Sequence, residues 1–334
     1  MIRAVRFKNY KVLRDTTLPL GKFTLLIGPN GSGKSTAISA FRKAVNLEPG
    51  GPSQLIASAG SRMGEQVEIV VEWGEPRSGV ALTTRWNNAG PVGPVVTGPA
   101  GSTDELTRFA IGELRRVRVY SFDATHLAAP VQSQPDIEIG ETGGGLAGVL
   151  DRLRDQHPER FEALNAELAR WLPEFDKVLF DTVGAGVKEI FLRDRATKHR
   201  IPARDVSQGT LLALGILTIA YLPDPPPIAG FEEPDRGIHP RLLRDVRDAM
   251  YRLAYPAEYG ESRPPVQVIA TTHSPYMLDL FRDHLEEVVI AEKRGNEAKF
   301  EPLSQRPDLE KVLHEAQLSD AWFTGVLGGV PTDG

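Results

Sequence analysis

The sequence predicts an α/β protein: a mixed central sheet with flanking helices, an antiparallel β subdomain and an inserted α-helical lobe. Three observations predict it. A short apolar run, Phe23 to Ile27, passes through a glycine-rich turn into an amphipathic helical pattern. From Gly209 onward the pattern runs helix, strand, helix, strand, the mark of parallel strands joined by helical crossovers. Between these two ends, roughly residues 64–200 interrupt the α/β pattern with hairpins and helices and read as an insertion.

The elements follow in chain order. Residues 2–7 alternate as a strand, and Phe23 to Ile27 form a second. Ser35 to Val45 reads as a helix with Ile38, Phe41 and Val45 on one face, and residues 46–64, rich in Gly, Pro and Ser, read as a loop. Val67–Trp73 and Val80–Trp86 alternate around a Gly/Pro turn, which predicts a β-hairpin. Residues 87–103 are rich in Gly and Pro and read as a mobile loop. Asp104–Arg116 is helical in pattern and Val117–Phe122 strand-like. Residues 146–172 give one helix or two, with Pro158 as the junction, and residues 177–193 a hairpin around Gly184-Ala185-Gly186. Helices at about 210–222 and 240–254 then alternate with strands at about 227–232 and 266–271.

Composition narrows the function classes. The 334 residues suffice for a large core, and the formal charge of −5 neither demands nor forbids nucleic acid. With no cysteine, disulfides, thiolate metal sites and a cysteine nucleophile are excluded. The first residues alternate apolar and charged, unlike a signal peptide, and the longest apolar run, Leu211 to Leu222, is short of the ~20 residues that cross a bilayer. A cytoplasmic protein without a membrane anchor is expected.

Gly28-Pro29-Asn30-Gly31-Ser32-Gly33-Lys34-Ser35 fits G-x-x-x-x-G-K-[ST], between a strand and a helix. Glycines let the backbone curl until successive N–H groups point inward at phosphate oxygens, and the helix N-terminus adds its positive end. Lys34 is expected on the β/γ-phosphates and the Ser35 hydroxyl on Mg²⁺. Asn30, Gly31, Ser32, Gly33 and Thr36 complete the nucleotide cradle. The loop alone defines a P-loop NTPase and no particular class.

Pro227-Ile228-Ala229-Gly230-Phe231-Glu232-Glu233-Pro234 is an apolar run ending in two carboxylates. Neighbours on a strand point to opposite sides, so Glu232 is expected on the metal and Glu233 on the attacking water. A solvated acidic turn is the plainer alternative. His273 follows the apolar run Val266–Ala270, at a strand end beside a helix start, where open α/β sheets bind ligands. It is expected to bond the γ-phosphate and the water, or to serve as a polar turn residue.

In this order the pieces resemble ABC-type ATPases of the soluble RecF/SMC-like branch, often grouped as AAA-family ATPases and including relatives of the OLD proteins. Ile2 to Tyr10 followed by Leu25 to Thr36 resembles the family's N-terminal lobe; Phe231-Glu232-Glu233-Pro234 with Gly237-Ile238-His239-Pro240 resembles its Walker B motif and D-loop; Thr272-His273-Ser274-Pro275 resembles its switch histidine segment. Ser207-Gln208-Gly209-Thr210 stands where the ABC signature belongs, with Ser207 and Gly209 as the informative residues. An ordinary helix N-cap at Ser207 is the alternative. Trp322 to Gly329 is similar to the tail of small ATPases of this branch. Glu232 departs from the usual Walker B aspartate, the signature is short, and no glutamine holds a clear Q-loop place: Asp123 stands there, with Gln132 and Gln134 as substitutes.

The resemblance implies an ATP-binding, ATP-hydrolysing enzyme with Mg²⁺, whose Glu233 and His273 are catalytic, whose Ser35 and Glu232 hold the metal, and whose Ser207 and Gly209 act in trans on the nucleotide of a second copy. It divides the chain into an ABC-type core at 1–63 and 200–304, a β subdomain at 64–122, an insertion lobe at 123–199 and a helical tail at 305–334. The expected partners are a homodimer, DNA, and a nuclease or other effector protein, in DNA repair or antiviral defence. Arg115, Arg116 and Arg118 form a basic group suited to DNA or simply to solvent. Two other readings stand beside this one: an ATP-gated module that docks a protein through residues 87–103 and the helical insertion, and a P-loop kinase, which needs neither Ser207 nor His273.

Overall fold

The computed structural model describes residues 1–45, 66–87, 90–99, 103–307, 309 and 317–328. They fall into two compact units. One comprises Met1–Val117, Pro227–Gly230 and Pro265–Gly334; the other Arg118–Pro226 and Phe231–Pro264. The acidic strand Ile228–Glu232 is divided between them after Gly230.

The first unit is built on two sheets. Its central strands run in the order Glu297–Pro302, Val288–Arg294, Phe23–Ile27, Gln267–Thr272 and the start of the acidic strand. Phe23–Ile27 is parallel to both neighbours and buried along its whole length, as expected of a strand covered on both faces. The helix Lys34–Lys43 leaves this strand through the glycine turn, burying Ala37, Ile38, Ala40 and Phe41; Arg42 and Lys43 in its last turn complement the negative end of its dipole.

The second sheet is antiparallel, in the order Leu13–Pro19, Ile2–Tyr10, Val67–Trp73, Ala81–Asn87, Gly90–Thr97. Gln267, 1% exposed, ties the two sheets together. Its Oε1 accepts from Ile2 N at 3.0 Å, and its Nε2 donates to Ile2 O at 2.7 Å and Gly21 O at 2.8 Å.

The second unit packs the helices Leu146–Gln156, Pro158–Trp171, Gln208–Tyr221 and Leu243–Ala254 with a small antiparallel sheet centred on Val187–Asp194. Gln208–Tyr221 is buried continuously from Thr210, which is why its sequence is apolar on every face. At Gly215 an added Cβ would lie 2.9 Å from Leu127 and 3.0 Å from Phe122, so the missing side chain admits these neighbours. No helix among the described residues is long and apolar enough to cross a membrane.

Two expectations are corrected. The segment at 87–103 is not a loop throughout: Gly90–Thr97 is an edge strand paired with Ala81–Asn87, and Thr103–Arg115 is already helix. Backbone pairing overrides its Gly- and Pro-rich composition, with Gly93 supplying a φ of 110°. The helix expected from residue 240 opens as a 3-10 turn, Pro240–Leu242, and becomes α-helical at Leu243. The loop expected at 46–64 lies outside the described residues.

Candidate functional site

The phosphate loop takes its shape from positions that exclude side chains. Gly31 and Gly33 have φ of 75° and 90°, in the left-handed region that favours glycine. At Gly28 an added Cβ would overlap the Ala291 carbonyl and lie 2.7 Å from Ser32 Oγ. Ser32 is fully buried, and its Oγ has no hydrogen-bond partner. Asn30, Gly31 and Ser35 are exposed and Thr36 is half-buried, so the mouth of the loop is open to solvent.

Lys34 is 5% exposed. Its Nζ donates to Gly28 O at 2.6 Å and Pro29 O at 3.0 Å and lies 3.2 Å from His273 Nδ1. His273 Nδ1 in turn lies 2.8 Å from Gly28 O. His273 Nδ1 is therefore within hydrogen-bond distance of both the Lys34 ammonium and the Gly28 carbonyl, and the tautomer decides which of the two it bonds. That carbonyl accepts from the Lys34 ammonium and lies beside the histidine ring. His273 is held there by the turn after Gln267–Thr272: Ser274 N donates to Thr272 Oγ1 at 2.9 Å, and Ser274 caps the helix Pro275–Asp279.

In the second unit the acidic strand ends at Glu232, and Glu233 has a φ of 47°. The pair therefore does not continue strand alternation, as the sequence suggested. Glu233 stands in the left-handed region, strain that natural chains concentrate at functional positions. The turn is closed by Arg236 N donating to Glu233 O at 3.0 Å and Ile238 N to Asp235 O at 3.2 Å. Ser35 in the first unit and Glu232 in the second each carry a hard oxygen donor of the kind Mg²⁺ takes. Among the described residues no group of three or more His, Cys, Asp or Glu could enclose a metal, and Mg²⁺ needs none, because water and phosphate oxygens complete its shell.

Ser207 is exposed and is the N-cap of Gln208–Tyr221, its Oγ accepting from Thr210 N at 3.2 Å. A Cβ on Gly209 would lie 2.6 Å from Gly237 O, so the start of this helix and the turn after Glu233 meet backbone to backbone. Ser207, Gly209, Gly237, His239 and Arg241 line one recess of about 450 Å³.

The Q-loop substitutes are accounted for locally. Asp123 caps the short helix Ala124–Leu127, accepting from His126 and Thr125, and the His126 N–H bond leads in holding its carboxyl below the usual range. Gln132 Nε2 donates to Ala185 O at 2.9 Å. Gln134 is exposed. Of the basic group, Arg118 pairs with Glu138 at 2.9 Å.

This loop and the strand order around it give the fold of an ABC-type P-loop domain. Comparison with known proteins agrees: residues 1–60 match the family described as "AAA ATPase domain", and residues 114–279 the family described as "AAA domain, putative AbiEii toxin, Type IV TA system". A 41-residue stretch is 45% identical to an OLD nuclease of Thermus scotoductus, covering 12% of this chain and only 8% of that protein. An SMC head bound to the C-terminal winged-helix domain of ScpA is similar in fold, with a TM-score of 0.65 at 16% identity over 93% of this chain and 99% of that one. So is an SMC head with an extended coiled coil bound to the C-terminal domain of ScpA from Pyrococcus furiosus, with a TM-score of 0.57 at 14% identity over 90% and 95%. The chain is thus similar over parts of its length to AAA-family ATPase domains, and in fold to SMC heads.

Proposed function

We propose that the chain binds ATP with Mg²⁺ and hydrolyses it, and that two copies close head-to-tail around two nucleotides. The observation that carries this reading is the meeting of Lys34 and His273 on the Gly28 carbonyl. A phosphate-binding cation and an imidazole share the carboxyl end of two adjacent parallel strands, where such folds bind and act on phosphates. Glu233 serves as the base for the attacking water, Glu232 and Ser35 hold Mg²⁺, and Ser207 and Gly209 complete the partner's nucleotide site. The ion would neutralise charge on the β- and γ-phosphates.

The γ-phosphate bridges both copies, so ATP stabilises the closed pair and hydrolysis releases it. Phosphate release by the purified protein, and the mass in solution of Glu233→Gln with ATP and Mg²⁺, test this. A protein that neither turns over ATP nor pairs in its presence would refute it.

The output we infer is work on DNA, in repair or antiviral defence with an effector protein. It is supported by an OLD nuclease and SMC heads among the similar proteins. Salt-dependent DNA affinity and DNA-stimulated turnover are the expected signs. An ATP-gated protein-binding module is the second reading. It is favoured by Tyr276, 58% exposed, and Phe323, 63% exposed, on the two contacting helices Pro275–Asp279 and Leu318–Phe323 beside the switch histidine. Turnover indifferent to DNA, with ATP-dependent capture of a protein partner, would select it.

A further inference from the structure

The strand Val288–Arg294 sorts its last side chains onto two faces. Glu292 and Arg294 share one, paired at 2.8 Å, with Arg306 Nη1 3.9 Å from the same carboxylate. Ala291 and Lys293 share the other, because side chains alternate along a strand. Ala291 is the residue packed against Gly28 of the phosphate loop, and its small side chain lets the two backbones meet. Two residues on, Lys293 Nζ stands 4.0 Å from the position a Cβ on Gly31 would occupy. Lys293 is exposed, and among the described residues no acid is paired with it. An ammonium group without a counter-charge thus stands over the open mouth of a loop built to hold phosphate, on an element remote in sequence from that loop.

We infer that Lys293 is a second cation of the phosphate cradle. Lys34, folded inside the loop, holds the phosphates from below; Lys293 meets the same chain from the solvent side of Gly31. Its role is charge-assisted binding of the triphosphate, with no part in proton transfer. The inference rests on the ATP-binding reading above and adds a residue to it.

The test is equilibrium binding of ATP with Mg²⁺ to the full chain and to Lys293→Ala, Lys293→Glu, Lys293→Arg and Lys34→Ala, at low and high salt. Lys293→Ala is expected to weaken ATP binding about tenfold at low salt, equivalent to about 1.4 kcal/mol. The deficit should shrink at high salt, because an exposed charge is screened. Lys293→Glu should bind more weakly still and Lys293→Arg nearly as well as the unaltered chain, with melting temperatures unchanged in the absence of nucleotide. Lys293→Ala and Lys293→Glu binding at full strength while Lys34→Ala fails would overturn the role of Lys293 and leave the nucleotide site standing. Unimpaired binding by Lys34→Ala as well would overturn both.

Discussion

Lys34 Nζ lies 3.2 Å from His273 Nδ1, although 239 positions separate the two residues in the chain. Both nitrogens converge on the Gly28 carbonyl, and the proposed function gives the two residues separable roles in nucleotide binding and turnover. Lys34→Ala is expected to abolish ATP binding. His273→Ala should still bind ATP while hydrolysis falls about 100-fold, the usual size of a lost proton-relay group. Titration with a fluorescent ATP analogue, beside a phosphate-release assay, separates the two. Equal loss of binding in both variants would show that His273 only braces the loop.

Gly209 is expected to tolerate no side chain. Gly209→Ala forces a methyl group toward Gly237 O and costs about 1–3 kcal/mol, the range for overpacking a tight contact. Because that contact joins the start of the helix Gln208–Tyr221 to the turn after Glu233, the ATP-dependent pairing proposed above should fall together with the melting temperature. Ser207→Ala removes only a cap worth about 1 kcal/mol. If Ser207→Ala pairs normally with ATP, Ser207 is a cap alone.

How much of this was legible in the sequence depends on the range of the interactions. The phosphate loop was readable because its chemistry is local: glycines at two left-handed positions, a lysine and a hydroxyl within eight residues. The order of strands and helices around it was readable from periodicity. Gly209 was marked by resemblance, but its physical reason, the Gly237 carbonyl, belongs to another segment. The left-handed backbone of Glu233 carries no local signal, since nothing in Phe231-Glu232-Glu233-Pro234 announces a positive φ. The strand Gly90–Thr97 was hidden because its pairing with Ala81–Asn87 outweighs a composition that reads as loop. Gln267 and Lys293 gave no motif at all; only the folded chain brings one to Ile2 and the other to Gly31.

Gln267 fills three hydrogen bonds in a dry place, and its loss should be felt as stability. Gln267→Leu leaves Ile2 N, Ile2 O and Gly21 O without their partner. Unmet buried groups cost about 1–3 kcal/mol each, though relaxation will recover part of the sum. A fall of about 2–4 kcal/mol in urea unfolding is expected. A change below about 0.5 kcal/mol, the size of an ordinary surface substitution, would show that water replaces the amide.

The acid limb of stability should carry a mark from Asp176. Hydrogen bonds from Arg193 and Lys198 hold its carboxyl down from 3.8 to about 2. A depressed carboxylate stabilises the fold fully above its unfolded value and loses that contribution as pH falls through the folded one. The stability difference between the unaltered chain and Asp176→Asn should therefore be constant near neutral pH, shrink below about pH 4 and vanish near pH 2. A difference independent of pH across that window would mean that Asp176 acts through shape rather than charge.

Glu233 allows chemistry and backbone strain to be told apart. Its φ of 47° costs a glutamate more than a glycine, so Glu233→Gly should preserve or slightly raise the melting temperature while removing the carboxylate. Glu233→Gln keeps the shape and removes the base. Both variants are expected to lose at least about 100-fold in ATP turnover. Both should retain ATP binding, and Glu233→Gln should collect as the ATP-bound pair because the bridging phosphate is no longer cleaved. Hydrolysis at the normal rate in Glu233→Gln would remove Glu233 as the base. The left-handed turn would then serve to shape the backbone that leads to Gly237, and the attacking water would need another acceptor.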